Sequence, residues 1–293
     1  MKYKQITIVC PYFETGGPEA LHQLCGIIND NGGNAYIWYY GEDRKCHPSY
    51  SQYNVRITTN MLDDVDCAVV LTEGDGKIIN EIIKSKIFFW WLASGLHKYS
   101  FEENKNSFQD KRITHLYQSY YALHYLWNRN ASQYLPLFDY INPRYFNVKP
   151  VEKQDIVCYN PKKGYEITKQ IIDNNPHVNF VPLINMNTEQ VIEILNKSKL
   201  YIDFGYHPGK DRFPREAAIL RNCVILGWRG SAMFYNDVPV PFKYKFNSLD
   251  GLNEMINDII QCWESHNLEF QQYRSVISQQ KEEFIIQIKQ IFI

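Results

Sequence analysis

The fold is decided by the stretch ITIVCPYFETGGPEALHQLCGIINDNGGNAYIWYY, residues 6–40. Its first five residues form an apolar run that ends at a proline, and a loop with Gly16 and Gly17 follows. Residues 19–31 carry apolar side chains at helical spacing and end at a glycine pair, as helix C-termini prefer. A second apolar run at 35–40 completes a strand–helix–strand unit, in which parallel strands are joined by a crossover helix.

The same alternation continues along the chain on both sides of a polar segment at 142–154, which we interpret as a linker. Before the linker, the pattern predicts strands at 67–72, 87–93 and 115–118 and a helix at 120–127. After it, the pattern predicts strands at 155–159, 180–183, 200–204 and 223–226, and helices at 164–174, 188–197 and 214–221. The last of these helices carries a proline, which we place at the favoured first helical position.

Aromatic and aliphatic residues recur three, four or seven residues apart in the C-terminal tail, which predicts a long amphipathic helix. We therefore predict an α/β protein with two Rossmann-like domains, each with a parallel sheet. The first covers residues 1–143, the second 155–267, and the final helix 268–293. That helix packs on the second domain or crosses back to the first.

Composition excludes several classes of protein. The chain has 293 residues, with 45% hydrophobic and 22% charged, as in ordinary globular proteins. Lys and Arg total 31 and Asp and Glu total 32, for a net charge of −1, which gives no global attraction to nucleic acid. The seven scattered cysteines indicate buried thiols in a reducing cytoplasm. The longest apolar run, 87–93, is far shorter than the roughly 20 residues that span a bilayer. We expect a cytoplasmic protein, at most attached to the inner face of a membrane.

Two motifs after predicted strands suit a phosphate ligand. Gly16 and Gly17 open the first helix, where the backbone can approach an anion, but a plain tight turn is an equal alternative. The segment NPKKG at 160–164 follows the first strand of the second domain. Its two lysines, among them Lys163, suit a phosphate at the ligand edge of the sheet, and a solvated lysine pair is the alternative.

The most informative stretch for function is DFGYHPGKDRFPRE, residues 203–216, which leaves a strand and enters a helix. Lys210 and Arg212 can neutralise a diphosphate, and Glu216 can accept hydrogen bonds from two ribose hydroxyls. The candidate donor-binding residues of this stretch also include His207 and Gly209. The alternative is a surface loop with local ion pairs.

Two acidic segments carry less weight. Residues 63–66 precede a strand and are interpreted as a polar turn, whereas 73–76 follow a strand and are a better site candidate, although a plain loop is favoured. The sequence contains no zinc-protease, serine-hydrolase or Walker motif. Among these segments we predict no metal site, and we expect the protein to need no cofactor.

Taken together, these motifs resemble the GT-B glycosyltransferases, most of all the glycogen-synthase-like "group 1" kind. The segments at 9–11 and 16–19 resemble the family's first strand, glycine loop and helix. The Lys-Gly pair at 163–164 resembles the pair whose lysine binds the donor diphosphate. The segment FPREAA at 213–218 resembles the family's Leu-Glu-Ala-Met-Ala helix, which makes Glu216 the ribose-binding glutamate.

The sequence departs from the family pattern in two places. The family's Arg, a few residues before the Lys, falls near Asn160, and Lys210 or Arg212 takes over its role in our interpretation. The family's first acidic residue, eight positions before the second, falls on Pro208. This second departure bears on the contacts to the donor sugar and on the stereochemistry of transfer.

The resemblance implies transfer of a sugar from a nucleotide-sugar to a glycan, polysaccharide or glycolipid, without a metal and with retention of configuration. Lys163, Lys210, Arg212 and helix N-terminal amides would stabilise the diphosphate leaving group, and the acceptor would enter from the first domain. By the same resemblance, His97 lies where the family often places a histidine near the donor sugar. It can position or deprotonate a hydroxyl, and the alternative is an ordinary loop residue.

Two other functions remain open on the sequence alone. The first is a non-catalytic nucleotide-sugar-binding or partner subunit of the same fold, which Pro208 at the position of the first carboxylate suggests. The second is a sugar-nucleotide epimerase. The sequence leaves open the base, the donor sugar, the acceptor, the linkage, retention or inversion of configuration, and the oligomeric state.

Overall fold

The computed structural model describes residues 2–95 and 107–293 and divides the chain into two compact units. Unit 1 comprises Met1–Tyr140 with Gln280–Ile293, and unit 2 comprises Ile141–Gln279. Each unit is built around its own parallel sheet, with helices packed on it. The two sheets confirm the predicted fold class of two Rossmann-like α/β domains. The functional roles predicted for the two domains stay predictions.

Unit 1 contains a seven-stranded sheet within its described residues. The strands are β1 (Gln5–Val9), β2 (Ala35–Trp38), β3 (Ile57–Thr58), β4 (Cys67–Thr72), β5 (Lys86–Trp91), β6 (Ile113–Tyr117) and β7 (Tyr134–Pro136). They pair in the order β3-β2-β1-β4-β5-β6-β7, and every pairing is parallel. The helices of its N-terminal part are α1 (Gly16–Asp30) and α2 (Tyr120–Trp127).

The first helix begins earlier than the sequence predicts. Gly16 and Gly17 lie in the first turn of α1, not in a loop before it. The reason is that Thr15 is extended and its carbonyl already accepts the amide of Glu19 at 3.1 Å, which closes the first helical turn.

The central strands of unit 1 are buried on both faces, which explains why they read as continuous apolar runs. Along β5, Phe88 and Trp90 enter one hydrophobic cluster, whereas Phe89 and Trp91 enter the cluster on the opposite face. This alternation is the period of two that a strand imposes on its side chains. The first cluster packs against α1 and the second against α2.

Unit 2 contains a five-stranded sheet. Its strands are β8 (Gln154–Tyr159), β9 (Asn179–Pro182), β10 (Ser198–Asp203), β11 (Cys223–Gly227) and β12 (Lys245–Phe246). Its helices are α3 (Tyr165–Asn174), α4 (Thr188–Lys197), α5 (Arg212–Ile219), α6 (Leu252–Gln261) and α7 (Trp263–Leu268). The strand order is β12-β11-β10-β8-β9, again with parallel pairing throughout.

The helix predicted at 214–221 begins at Arg212, so Pro214 is its third residue and not its first. Proline is tolerated there because the first turn of a helix has backbone N–H groups without intrahelical partners. The two residues gained at this end start α5 at Arg212 and make Asp211 its N-cap residue, which matters for the site described below.

The last helix, α8 (Gln271–Phe292), contributes to both units. Tyr273 and Ile277 lie in the core of unit 2, whereas Phe284 and Ile288 lie in the core of unit 1. This finding confirms the predicted helix that runs from the second domain to the first. Within the described residues, no helix combines the length and apolarity needed to cross a membrane.

Candidate functional site

Two loops meet at the carboxyl edge of the unit 2 sheet. β8 and β10 are neighbours in the sheet, although α3, β9 and α4 separate them along the chain. The strand order reverses there, because β9 lies beyond β8 while β11 and β12 lie beyond β10. Such a reversal creates the crevice in which open α/β sheets bind their ligands. Residues 160–164 follow β8 and residues 204–211 follow β10, so both predicted motifs flank this crevice.

Close backbone contacts fix the loop after β10 from both sides. Gly164 has φ +66°, and a Cβ atom there would lie 2.5 Å from the backbone nitrogen of Gly205. On the other side, the amide of Ser231 donates to the carbonyl of His207 at 2.8 Å, and its hydroxyl donates to the carbonyl of Gly209 at 2.5 Å. The loop that carries His207 is therefore held by both neighbouring loops.

Four charged side chains form a continuous series of contacts between the two loops. Lys163 pairs with Oδ2 of Asp211, and Nδ1 of His207 lies 2.8 Å from the same oxygen. Nε2 of His207 lies 3.7 Å from Oδ1 of Asp203. The other oxygen of Asp203, Oδ2, accepts a hydrogen bond from the hydroxyl of Tyr201 at 2.9 Å. His207 and Asp203 are buried, whereas the side chain of Lys163 is 31% exposed. Lys163 is therefore the most exposed of the four side chains.

These contacts determine the preferred protonation states. Burial acts to raise the pKa of Asp211, but His207 and Lys163 outweigh it and hold the pKa of Asp211 at about 2. Burial acts to lower the pKa of His207, but the carboxylates of Asp211 and Asp203 outweigh it and raise the pKa of His207. Asp211 is therefore a carboxylate, and the protonated form of His207 is favoured.

The other predicted donor-binding residues of unit 2 lie on the same segment. Lys210 and Glu216 are buried, and Arg212 is half-buried at the start of α5. Sequence analysis did not single out Arg215, which is buried and donates to the carbonyls of Lys210 at 2.5 Å and Asp211 at 3.2 Å. It also missed the contacts of His207 with Asp203 and Asp211, for which the four-residue spacing of the three was the available signal.

The remaining predicted site residues are Gly16, Gly17 and His97. Gly16 and Gly17 belong to unit 1, at the start of α1. His97 lies outside the described residues. The structure thus brings Lys163 and His207 together, and the roles of all these residues in binding stay predictions.

A cavity of about 210 Å³ adjoins the Lys163 loop at the carboxyl ends of β10, β11 and β12. Its lining includes Ile167, Phe204, Trp228, Phe246 and Leu249. Phe204 also contacts the Gly164 backbone, so the cavity lies directly beside the loop that carries the lysine. Polar side chains line it as well, namely those of Gln170, Arg229, Asn247 and Ser248. The aromatic side chains in its wall are suited to a flat ring such as a nucleobase.

Asp203, His207 and Asp211 also have potential ligand atoms within 4.8 Å of one another, the property expected of a metal site. Their orientation does not fit one, because Nδ1 of His207 faces Asp211 and Nε2 faces Asp203, and an imidazole coordinates a metal through one nitrogen. In addition, the ammonium of Lys163 forms an ion pair with the carboxylate of Asp211 that a metal would need as a ligand. In this structure the three side chains form an ion-pair network with Lys163.

The carboxyl edge of the unit 1 sheet carries two buried carboxyl groups, at the segment 73–76 that the sequence flagged. Asp75 accepts from the hydroxyl of Tyr40 at 2.6 Å and from Thr72. Glu73 accepts from the amide of Ala93 at 2.5 Å, and burial raises the pKa of Glu73 to about 7. The raised pKa means that folding favours the protonated form of Glu73.

We expect Glu73→Gln to stabilise the protein above neutral pH. The pKa of Glu73 in the folded protein exceeds its ordinary value of 4.5. The protonated Glu73 side chain therefore contributes fully to the free energy of unfolding below about pH 4.5, and this contribution is lost as the pH rises through about 7. The glutamine variant has no such loss, and its free energy of unfolding should exceed that of the wild type by about 3 kcal/mol at pH 8. Urea titrations at about pH 5 and pH 8 measure the difference, with exposed Glu81→Gln as the matched control. Parallel profiles for wild type and Glu73→Gln would contradict the expectation.

No protein-family model matches the chain, and no curated protein matches it. Its structure is similar to that of sucrose-phosphate synthase from Thermosynechococcus elongatus, with a TM-score of 0.70, 12% identity and coverage of 98% of each chain. It is also similar to Anabaena HepE in complex with UDP and glucose, with a TM-score of 0.72, 12% identity and coverage of 98% of each chain.

A further similar structure is BGT of phage T4 in complex with UDP and Mn²⁺. The TM-score is 0.57 at 12% identity, with 97% of this chain and 99% of that chain covered. At such identities the likeness is one of fold. The chain has the fold of the GT-B glycosyltransferases, as the sequence motifs led us to expect.

Proposed function

We propose that the protein is a glycosyltransferase that moves a sugar from a nucleotide-sugar donor to a glycan, polysaccharide or glycolipid acceptor. The observation that carries the proposal is the position of Lys163. It lies at the strand-order reversal of unit 2, beside an apolar cavity and on a loop that leads into a helix N-terminus. A cation, amide groups and a ring-sized cavity together match the parts of a nucleoside diphosphate.

In this proposal, unit 2 binds the donor and stabilises the leaving group. The Lys163 ammonium and the amides at the start of α3 would take the diphosphate, on which negative charge develops as the sugar leaves. The cavity beside Phe204 would take the base. Glu216 would accept hydrogen bonds from the ribose hydroxyls, and Lys210 and Arg212 would add positive charge near the phosphates.

The remaining parts of the proposal follow from the resemblance. The reaction would proceed without a metal ion, because fixed cations take the metal's role, and with retention of configuration. By the same resemblance, unit 1 would hold the acceptor, Gly16 and Gly17 would serve donor binding, and His97 would position or deprotonate a hydroxyl.

A non-catalytic nucleotide-sugar-binding protein is the second candidate, favoured by Pro208 at the place of the family's first carboxylate. Incubation with a panel of nucleotide-sugars and sugar acceptors separates the two. Acceptor-dependent release of nucleoside diphosphate supports the transferase. Binding without release for any donor and acceptor supports the second candidate, and epimerised donor without an acceptor supports neither.

We expect Lys163→Ala to weaken UDP binding by about 1.5–3 kcal/mol, the worth of a hydrogen bond to a charged group. This corresponds to roughly a 10- to 150-fold rise in the dissociation constant, measured by isothermal titration calorimetry. The matched control is Lys162→Ala, which removes an exposed lysine from the same loop and should leave the affinity unchanged. An unchanged affinity of the Lys163 variant, or equal losses in both variants, would remove the assignment of the phosphate site.

A further inference from the structure

One oxygen of Asp211 holds two cations in the free protein. Oδ2 accepts from Nζ of Lys163 and lies 2.8 Å from Nδ1 of His207. The two cations differ in access, because the lysine side chain is 31% exposed and the histidine side chain is 2% exposed. Lys163 can therefore leave Asp211 for a ligand, whereas His207 stays in place.

The position of His207 is fixed from several sides. Its carbonyl accepts the amide of Ser231 at 2.8 Å, and its Nε2 faces Asp203 at 3.7 Å, without a hydrogen-bond partner in the described part of the chain. Asp203 is itself held by the hydroxyl of Tyr201 and the amide of Gly205, each at 2.9 Å. The imidazole thus lies between two fixed carboxylates.

We propose that Asp211 competes with the donor diphosphate for Lys163, and that His207 is a positioning residue whose proton keeps Asp211 paired when Lys163 turns to the donor. This inference rests on the proposed function, in which Lys163 binds the diphosphate. It assigns to Asp211 and His207 a role in setting the affinity of that site.

The energetic reason lies in the cost of an unpaired charge in a desolvated place. Removing one partner of a buried ion pair is strongly unfavourable, because it leaves the other charge uncompensated. With His207 protonated, Asp211 keeps a cationic partner after Lys163 has moved. With His207 neutral, the same movement of Lys163 leaves the carboxylate of Asp211 without a cationic partner. The free energy of this unpaired charge then weakens donor binding.

The charged groups that act on His207 come from three elements. Asp203 ends β10, Asp211 precedes α5, and Lys163 comes from the loop after β8. The turn that contains Ser231 supplies an uncharged amide. Movement of the Lys163 charge away from His207 favours the imidazolium further, because like charges oppose protonation. Donor binding should therefore take up a proton.

The test is calorimetric titration of the full-length protein with UDP-glucose between about pH 6 and pH 8.5. UDP-glucose is the better probe because the terminal phosphate of UDP itself titrates near about pH 6. We expect the affinity to fall as the pH rises through the titration of His207, by about tenfold for a coupling of one pKa unit. Buffers of different ionisation enthalpy should report net proton uptake on binding.

Two variants separate the roles. Asp211→Asn removes the competitor, so it should bind UDP-glucose about three- to tenfold more tightly than the wild type at high pH and lose the pH dependence. Its fold should persist, because the side chain of Asp211 makes no capping hydrogen bond to α5. His207→Gln should show the weak, high-pH affinity at every pH. His177→Gln, an exposed histidine of unit 2, should keep the wild-type profile.

The outcomes are distinguishable. A pH-independent wild-type affinity without proton uptake overturns the inference and leaves the proposed function intact. Weaker binding by Asp211→Asn also overturns it, because Asp211 would then be needed to orient Lys163. Absence of UDP-glucose binding at every pH, by contrast, overturns the proposed function and this inference with it.

Discussion

Gly230→Ala is expected to be among the most damaging single substitutions in unit 2, with a cost of about 4 kcal/mol or more in the free energy of unfolding. Gly230 has φ +59°, and a Cβ atom there would overlap the carbonyl oxygen of His207. Relief of this overlap must separate the two loops. It would break the hydrogen bonds from Ser231 to the carbonyls of His207 and Gly209.

The control for this substitution is Gly251→Ala, in the same unit. Gly251 has a similar φ of +70°, but a Cβ atom there would meet nothing within 4 Å. It should cost only about 1–2 kcal/mol, the penalty for a left-handed alanine. Urea unfolding followed by far-UV circular dichroism measures both. Equal costs for the two variants would show that contact with the His207 loop does not hold this edge of the sheet together.

The contact between these loops shows where sequence reasoning ends. The motifs at 160–164 and 203–216 were recognisable one by one, because each follows an apolar strand and carries charge. Their proximity depends on β10 pairing with β8, and strand order is a long-range property that the local pattern does not contain. The partnership of Lys163 with Asp211 could therefore not be derived from spacing.

Local patterns were most reliable where an element is long and regular. The helices α2 and α4 and the strand β4 have the predicted bounds, since hydrophobic periodicity or a clear apolar run defines each of them. The edge strands β3 and β12 were missed, because two residues are too few to show a period. Two helix starts were misplaced. In α1 the glycines of the first turn were assigned to a loop, and in α5 the proline of the first turn was assigned to the first helical position.

The burial of Arg215 was the second failure of the sequence reasoning. A charged residue in a first helical turn, after a segment with Lys and Asp, is expected to be a surface residue or a phosphate ligand, since arginine is almost never fully buried unless paired. Here the backbone carbonyls of Lys210 and Asp211, just before α5, are among its partners. Only the folded loop brings those carbonyls within reach of the guanidinium.

Phe284→Ala is expected to destabilise unit 1 by about 3–5 kcal/mol, the usual cost of truncating a buried aromatic ring. Phe284 is fully buried, and its ring stacks on Trp90 with centroids 5.9 Å apart and contacts Tyr140 at 5.6 Å. The cavity left behind would be lined by rigid aromatic side chains, which cannot collapse into it. The matched control is Ile286→Ala, since Ile286 is half exposed on the same helix and should cost within about 0.5 kcal/mol.

The magnitude of this loss tests how the final helix is held in unit 1. Besides the apolar contacts, the side chain of Gln287 accepts a buried hydrogen bond from the amide of Phe138 at 2.8 Å. If Phe284→Ala costs less than about 1 kcal/mol in urea unfolding followed by tryptophan fluorescence, the helix end is anchored mainly by that bond and by the apolar residues after it. A cost in the expected range instead makes the Trp90–Phe284 stack the main anchor. Phe284 in the last helix would then stabilise the seven-stranded sheet, which also contains the first strand of the chain.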